Sequence, residues 1–396
     1  MRKRKPQAPK SMGPALDAES FIEVFADVSD PRSGAVEHPL MSILVICLCG
    51  TIAGASGPTM FEVFAKTNEE FMSRLVPLPN GVPSHDTISR VLGLLNPDQL
   101  EKAFSEWMAS VVERCAGDVV AIDGKTLRRA RNMRDGTDFV HMVSAWSTAN
   151  GVVLGQVKTD DKSNEITAIP ELLRLLDIKG CIVTTDAMGA QKGIAAQIRE
   201  QGGDYLLQIK ENHPKLAEAI ATHFSSIEGD ESAPQGVSFA ETNNKGHGRR
   251  EVRRCWTSPV PRTFEGRDEW QDIATLIHIQ SERHIDGKVS LADRWFISSR
   301  ADFDAGDALD AARSHWHIEN RLHWTLDVVF GEDQARDRAN NAAENLVVIR
   351  HLALNFLRSA KNVKGGVASK RKMAGWDTRV LAKILGVSES LSPRND

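Results

Sequence analysis

Two short apolar runs, "VVAID" at 119–123 and "CIVTTD" at 181–186, each end in an aspartate, and they limit the fold more than any other feature. Val119, Val120, Ala121 and Ile122 form a short apolar run bounded by Gly117 and Gly124, which is the pattern of a buried strand. Between the two runs, "FVHMVSAWS" (139–147) and "VVLGQVKT" (152–159) read as strands, joined by a turn whose Asn150-Gly151 is a hairpin signal. "EITAIPELLRLL" (165–176) reads as a helix. A helix at about 193–202, the strand "YLLQIK" and a helix beginning near Pro214 follow the second run. The "GKT" after Asp123 is no phosphate loop, because the residue five before Gly124 is Val119 and not glycine.

The order strand, strand, strand, helix, strand, helix, strand, helix is an antiparallel meander feeding parallel βαβ units, the layout of an RNase H-like α/β fold with a mixed sheet. Asp123 and Asp186 end the first and fourth strands, 63 residues apart (186 − 123). With those strands adjacent and parallel, both carboxylates share the edge where ligands bind. Two close carboxylates stay ionised only with a cation between them, and hard oxygen pairs suit Mg²⁺ or Mn²⁺. A third acid is expected from the polar helix "ARSHWHIENRLHWTLDVVFGED", 312–333. There His315, Glu319 and His323 stand at i, i+4 and i+8 on one face, with Trp316 and Leu322 beside it and Leu326 and Phe330 on the apolar side. The same two histidines and glutamate leave a zinc or di-iron helix open as an alternative.

The remaining chain adds context. A net charge of −4 over 396 residues excludes a protein basic throughout, but the cations cluster in residues 1–10, 245–254 and 361–372. Three such runs fit a surface that touches phosphates in several places. Cys47, Cys49, Cys115, Cys181 and Cys255 are odd in number and include no CxxC, which reads as reduced cytosolic thiols. Residues 39–61 carry no charge but are diluted by Gly50, Gly54, Gly57 and Pro58 and lack a basic flank, so a buried helix is expected there and no membrane span. Residues 14–115 read as helical. Ser84 or Asp86 caps one helix, Asn96 with Pro97 starts the next, and the pair could be a helix-turn-helix or plain bundle helices. The expected division is a basic flexible tail at 1–13, a helical domain at 14–115 with a DNA or assembly role, a catalytic domain at 116–360, and a basic tail at 361–396.

Nine stretches, among them "DPRSGAVEHPL", "AIDGKTLR", "TTDAMGAQ", "GDYLLQIKENHP", "GHGRREVR", "HWHIENRLHWTLDVVFGEDQAR" and "AAENLVVIRHLALN", run in order from residue 30 to 357 and resemble the DDE transposases of bacterial insertion sequences, in the H-repeat-associated group. The resemblance implies catalytic, metal-holding roles for Asp123, Asp186 and Glu319, with Mg²⁺ or Mn²⁺ as cofactor. It implies a strand-rich insertion at about 225–300, where "IATLIHIQSER" and "SLADRWFISS" read as strands. Double-stranded DNA, as element ends and as target, is the implied partner, held by a homodimer or larger assembly in the bacterial cytoplasm at the nucleoid. Candidate DNA contacts are Lys125, Arg128, Lys210, Asn212, Arg249, Arg250, Arg253, Arg254, His315, Trp316, Asn320 and His323. The chain departs from the Tyr-Arg-Glu-Lys signature of related transposases, since its flanking places hold Ala312, His315 and Leu326. The expected activity is metal-dependent cleavage at element ends and strand transfer. A nuclease that cuts without joining and an inactive DNA-binding descendant are the alternatives.

Overall fold

The computed structural model describes residues 16–112, 117–127, 140–159, 165–227, 235–246, 248–335 and 340–387. The chain opens with six helices: α1 (Ala18–Phe25), α2 (Leu40–Ala53), α3 (Pro58–Thr67), α4 (Glu69–Leu75), α5 (His85–Leu94) and α6 (Pro97–Val111). Strands and helices then alternate as β1 (Val119–Leu127), β2 (Val140–Ser147), β3 (Val152–Thr159), α7 (Glu165–Leu175), β4 (Ile182–Thr185), α8 (Lys192–Glu200), β5 (Asp204–Ile209) and α9 (Pro214–Ser225). Four long strands follow: β6 (Ser238–Gly246), β7 (Arg249–Pro259), β8 (Thr275–Ile285) and β9 (Lys288–Ser298). The chain continues through α10 (Ala305–His317), α11 (Trp324–Val329), α12 (Ala342–Ser359), α13 (Val367–Trp376) and α14 (Thr378–Ile384). This is a mixed α/β chain with a helical N-terminal region, and its element order from β1 to α9 is the one the sequence predicts.

The chain divides into two compact units. One comprises Met1–Arg114, Gly124–Asn164 and Glu319–Asp396; the other comprises Cys115–Asp123 and Glu165–Ile318. In the first unit the strand order is β3-β2-β1, with β2 and β3 antiparallel. Its axis is α12, buried along almost its whole length and packed on α2, α5, α6 and β3. Asn345 on α12 donates to Leu92 O and Leu95 O at 2.8 and 3.0 Å, closing the C-terminal end of α5. Asn355 pairs both ways with the backbone of Val153 on β3, at 2.9 and 2.8 Å. These amides satisfy backbone groups at an edge strand and a helix end that would otherwise lose their hydrogen bonds on burial. The caps on α5 and α6 are Ser84, accepting from Thr87 N, and Asn96, accepting from Asp98 N.

The uncharged stretch 39–61 forms α2 and the start of α3, bent by 90° at a break where Gly54 takes the left-handed conformation (φ 112°). Twelve of the fourteen α2 residues are buried within the fold. No single helix among the described residues is long and apolar enough to cross a membrane. Cys47, Cys49, Cys181 and Cys255 are buried free thiols, with burial pushing Cys49 and Cys255 up to about 12; Cys115 and the basic residues 1–10 lie outside the described residues.

The expectation of a basic tail from 361 is corrected. Residues 367–384 form α13 and α14, with Ala374, Leu381 and Ile384 buried. Two of the tail's cations serve as helix caps: Lys370 Nζ donates to Leu357 O and Ala360 O at 2.9 and 2.6 Å, and Arg371 donates to Val329 O at 2.5 Å and Thr51 O at 3.1 Å. Cations at helix C-terminal ends meet the exposed carbonyls and the negative end of the dipole.

In the second unit the strand order is β1-β4-β5-β9-β8-β7-β6. β1, β4 and β5 are parallel neighbours, β9 joins β5 antiparallel, and β6–β9 form an antiparallel meander without register breaks. α10 packs on one side of this sheet: its Ala305, Ala308, Leu309 and Ala311 share a core with Val119, Ile182, Leu206, Cys255, Ile277, Ile279 and Phe296. α9 packs on β8 and β9, where Phe224 approaches the rings of His278 and Trp295.

Candidate active site

β1 and β4 pair in parallel with a constant offset of 63, from Val119↔Ile182 to Ile122↔Thr185. The next step of that register sets Asp123 beside Asp186 (186 − 123 = 63). Neighbouring strands lie about 4.8 Å apart, so the two acids emerge side by side at the carboxyl ends of parallel strands. Side chains alternate along a strand. Asp123 is four residues past Val119 and Asp186 four past Ile182, so both face the side of the sheet that α10 covers. Both acids are half-buried, where the four residues before each are fully buried.

The loop after Asp186 is held from three directions. Asp186 Oδ1 accepts from Gly189 N at 3.0 Å. A Cβ on Gly189 would sit 2.7 Å from Thr185 Cβ and 2.9 Å from Ile169 Cδ1, so only glycine closes this turn. Asn212 Nδ2 donates to Ala187 O at 2.5 Å and its Oδ1 accepts from Lys210 N at 3.2 Å, while His213 Nε2 lies 2.8 Å from Ala190 O. Asn212 clasps the acid's loop, and both it and the Lys210 side chain beside it are exposed.

From α10, His315 reaches the same place. Its Nδ1 shares a 3.0 Å hydrogen bond with Thr184 Oγ1, two residues before Asp186 on the same face of β4. Burial pushes the His315 imidazolium down to about 4 against the opposing pull of the Asp186 charge, so the ring is neutral at physiological pH. Trp316, 44% exposed, carries the Arg294 guanidinium 5.6 Å from its ring centroid.

The helix does not continue regularly past this point. Residues Ile318–His323 form a π-helical turn, and regular helix resumes at Trp324. Glu319 and Asn320 are exposed on that turn and His323 is half-buried. The expectation that His315, Glu319 and His323 share one α-helical face at i, i+4 and i+8 is therefore corrected, since a wider turn rotates every later residue. The same rotation removes the alignment that the zinc or di-iron alternative required. Among the described residues no group of three or more His, Cys, Asp or Glu side chains is arranged to hold a metal ion. The Asp123–Asp186 pair by itself has the hard-oxygen chemistry that a divalent cation takes.

Lys125, expected at a phosphate, is turned inward within the first unit. Only 12% of its side chain is exposed; Nζ contacts Asp327 and lies 2.7 Å from Glu332 Oε2. Burial opposes the charge on Lys125, but the Glu332 and Asp327 carboxylates outweigh it and raise the ammonium above its usual value. Glu332 is pushed up by burial and held below its ordinary value by Lys125 and Arg350, whose Nη1 is 3.8 Å away. Arg128 lies outside the described residues.

The four arginines of β7 do not form one patch. Alternation puts Arg249 and Arg253 on the α10 side of the meander and Arg250 and Arg254 on the other. Arg254 is tied to Glu241 and Glu282, each at 3.0 Å, and Arg250 Nε donates to Asn243 Oδ1 at 3.2 Å. Thr184, His213, Arg283, Arg294 and Arg313 escaped the sequence reading. For Thr184 the even spacing from Asp186 was the available signal; for the others only the strand pairing reveals the position.

Comparison with known proteins adds an independent line. The profile described as "Transposase DDE domain" matches residues 114–356, and the one described as "DDE_Tnp_1-associated" matches residues 22–108. The chain is 40% identical over 379 residues to "H repeat-associated putative transposase YhhI" of Escherichia coli (strain K12), covering 94% of this chain and 99% of that one. It is 39% identical over 391 residues to "Putative transposase YncI" of Escherichia coli O157:H7, covering 96% and 98%. A piggyBac transposase synaptic complex with hairpin DNA aligns over 96% of this chain and 79% of that one, with a TM-score of 0.41 at 10% identity, a likeness too slight to carry an argument. With the family profile spanning more than half its length, and relatives matched nearly end to end, the chain belongs to the DDE transposase family.

Proposed function

We propose that this transposase cuts DNA at the ends of an insertion sequence and joins those ends to target DNA, using an RNase H-like core in which Asp123, Asp186 and Glu319 are the catalytic acids. The observation that carries the reading is the register that sets Asp123 beside Asp186 at the ends of parallel strands, on the side covered by α10. Asp123 and Asp186 would hold the divalent ion, Mg²⁺ or Mn²⁺, with Glu319 as third carboxylate. Bound there, the ion supplies Lewis-acid polarisation of the phosphate. The protein's own part is placement. The Asn212 and His213 clasp fixes the Asp186 loop, and neutral His315 holds Thr184 without adding a positive charge that would compete for the acids. Cutting and joining are both in-line phosphoryl transfers, the first to water and the second to a DNA 3′-hydroxyl, so one site serves both. The acting species is an assembly of two or more copies on double-stranded DNA, working at the nucleoid in the cytoplasm.

The test is an excision and integration assay on a plasmid carrying the gene with its flanking DNA. Asp186→Asn and Glu319→Gln should each fold normally by circular dichroism and lower both steps by roughly 10²–10³-fold or more, the cost of removing an electrostatic element from a transition state. A folded Asp186→Asn protein that excises and integrates at the wild-type rate overturns the assignment. Cleavage without joining by the wild type reassigns the chain as a nuclease.

A further inference from the structure

The antiparallel meander β6–β9 has two faces that differ sharply in charge. Its unbroken registers sort every strand residue by alternation. On the α10 side stand Arg249, Arg253, Arg283, Lys288 and Arg294, against a single acid, Glu251. On the other side Lys245, Arg250 and Arg254 are matched by Glu241, Glu282 and Asp293. Five cations against one acid is a charged surface; three against three is a neutral one.

α10 covers only the base of the first face, with the core around Cys255, Ile277 and Phe296. Beyond it the arginines crowd one another. Glu251 pairs with Arg253 at 2.6 Å and Arg283 at 2.9 Å, so one buried carboxylate serves two guanidinium groups. Burial lowers Arg253 and Arg294, with Glu251 opposing the shift and neighbouring arginines (Arg313 and Arg283 for the first, Arg283 for the second) adding to it. Arg313 extends the cluster onto α10, where Asp310 lies 3.8 Å away on the helix surface. Such repulsion does nothing for folding, and a polyanion relieves it.

We propose that the backbone of duplex DNA lies along this α10-side face, from the Arg249 end of the meander past Arg283 and Arg294 to Trp316 and on to His315 beside Asp186, and that the opposite face takes no part. The inference rests on the proposed function and adds the surface and direction by which DNA enters the site. The dimensions agree. Arg294 stands level with Cys255 through the Arg294↔Ile279 and Ile279↔Cys255 pairs, and Arg249 is six residues farther along β7. At about 3.3 Å per residue this is a run of about 20 Å, matching about six phosphates of one strand at ~3.4 Å each. The face and the two acids lie on the same side of the sheet, so the rail needs no turn around an edge.

The experiment is fluorescence anisotropy of the full-length protein with a labelled arbitrary-sequence duplex of about 40 base pairs, over a series of salt concentrations. Arg283→Gln/Arg294→Gln should flatten the log Kd against log salt slope by roughly 1.8, about 0.9 per lost phosphate contact, while Arg250→Gln/Arg254→Gln changes it by less than about 0.5. If the first variant melts early because Glu251 loses a partner, Arg313→Gln/Lys288→Gln, both on exposed side chains, carries the same expectation. An unchanged slope in folded α10-side variants, or an equal loss from the opposite face, overturns the inference while leaving the proposed function standing. Wild-type protein that does not bind the duplex at any salt concentration overturns both. Binding of an acidic polypeptide in preference to the duplex reassigns the face to a protein partner.

Discussion

Lys125 carries the clearest consequence of a single side chain. It sits two residues after Asp123 and is bound by Asp327 and Glu332, which come after Glu319 on the chain. Removing one partner from a buried ion cluster leaves the others unpaired in low dielectric, at a cost of about 3–5 kcal/mol, whereas neutralising both sides costs far less. Lys125→Met should therefore destabilise the protein by that amount in urea unfolding, and Lys125→Met/Glu332→Gln should recover much of it. Equal losses in the single and double variants would mean that the cluster's charges do not matter to the fold. The sequence exposed this lysine as a cation near an acid but not its direction. Whether a cation meets a phosphate or a carboxylate depends on residues about 200 positions away.

Among the elements, the π turn at Ile318–His323 separates what was legible from what was not. The strands ending in Asp123 and Asp186 could be read because an apolar run bounded by glycine is a local signal. The caps at Ser84 and Asn96 were local too. The π turn was not readable: Leu322, Leu326 and Phe330 repeat every four residues, so the pattern suits an unbroken α-helix. Faces of a meander and caps made by Lys370 and Arg371 are equally invisible, since pairing and packing decide them. A wide turn is a costly element that persists mostly at functional sites. Deleting Asn320 should restore regular helical bonding, keep or raise helix content by circular dichroism, and lower excision about 100-fold or more by displacing the residues beyond Glu319. A deletion variant that excises normally would make the turn incidental.

For the molecule as a whole, pH dependence reports a buried acid of the helical N-terminal region. Glu101 on α6 is almost fully buried, with Gln156 Nε2 3.4 Å from its Oε1, and burial raises its carboxyl to about 8. A raised folded-state value means that its contribution is complete below the unfolded value of 4.5 and is lost as pH rises towards about 8. His351 acts in the opposite sense. Burial lowers it to about 4, so stability falls as pH drops below 6.5. Glu101→Gln should gain on the wild type by up to about 1.4 kcal/mol per pH unit between those limits, measured by urea unfolding at several pH values. Parallel pH profiles for the two proteins would place the ionisation of Glu101 outside the folding equilibrium.

The three-segment make-up of the first unit also governs how the chain is built in the cell. α2 and α6 emerge early from the ribosome, yet the helix that covers them, α12, begins at Ala342, 231 residues after Val111 (342 − 111). At about 5–20 residues per second that is a wait of roughly 10–50 s in which the uncharged Leu40–Ala53 helix has α1 and α3 beside it but lacks α12. The second unit, apart from its opening strand, is continuous and can close during that interval. Synthesis thus completes the sequence of the β-rich unit, which ends at Ile318, before α12 can cover the N-terminal helices.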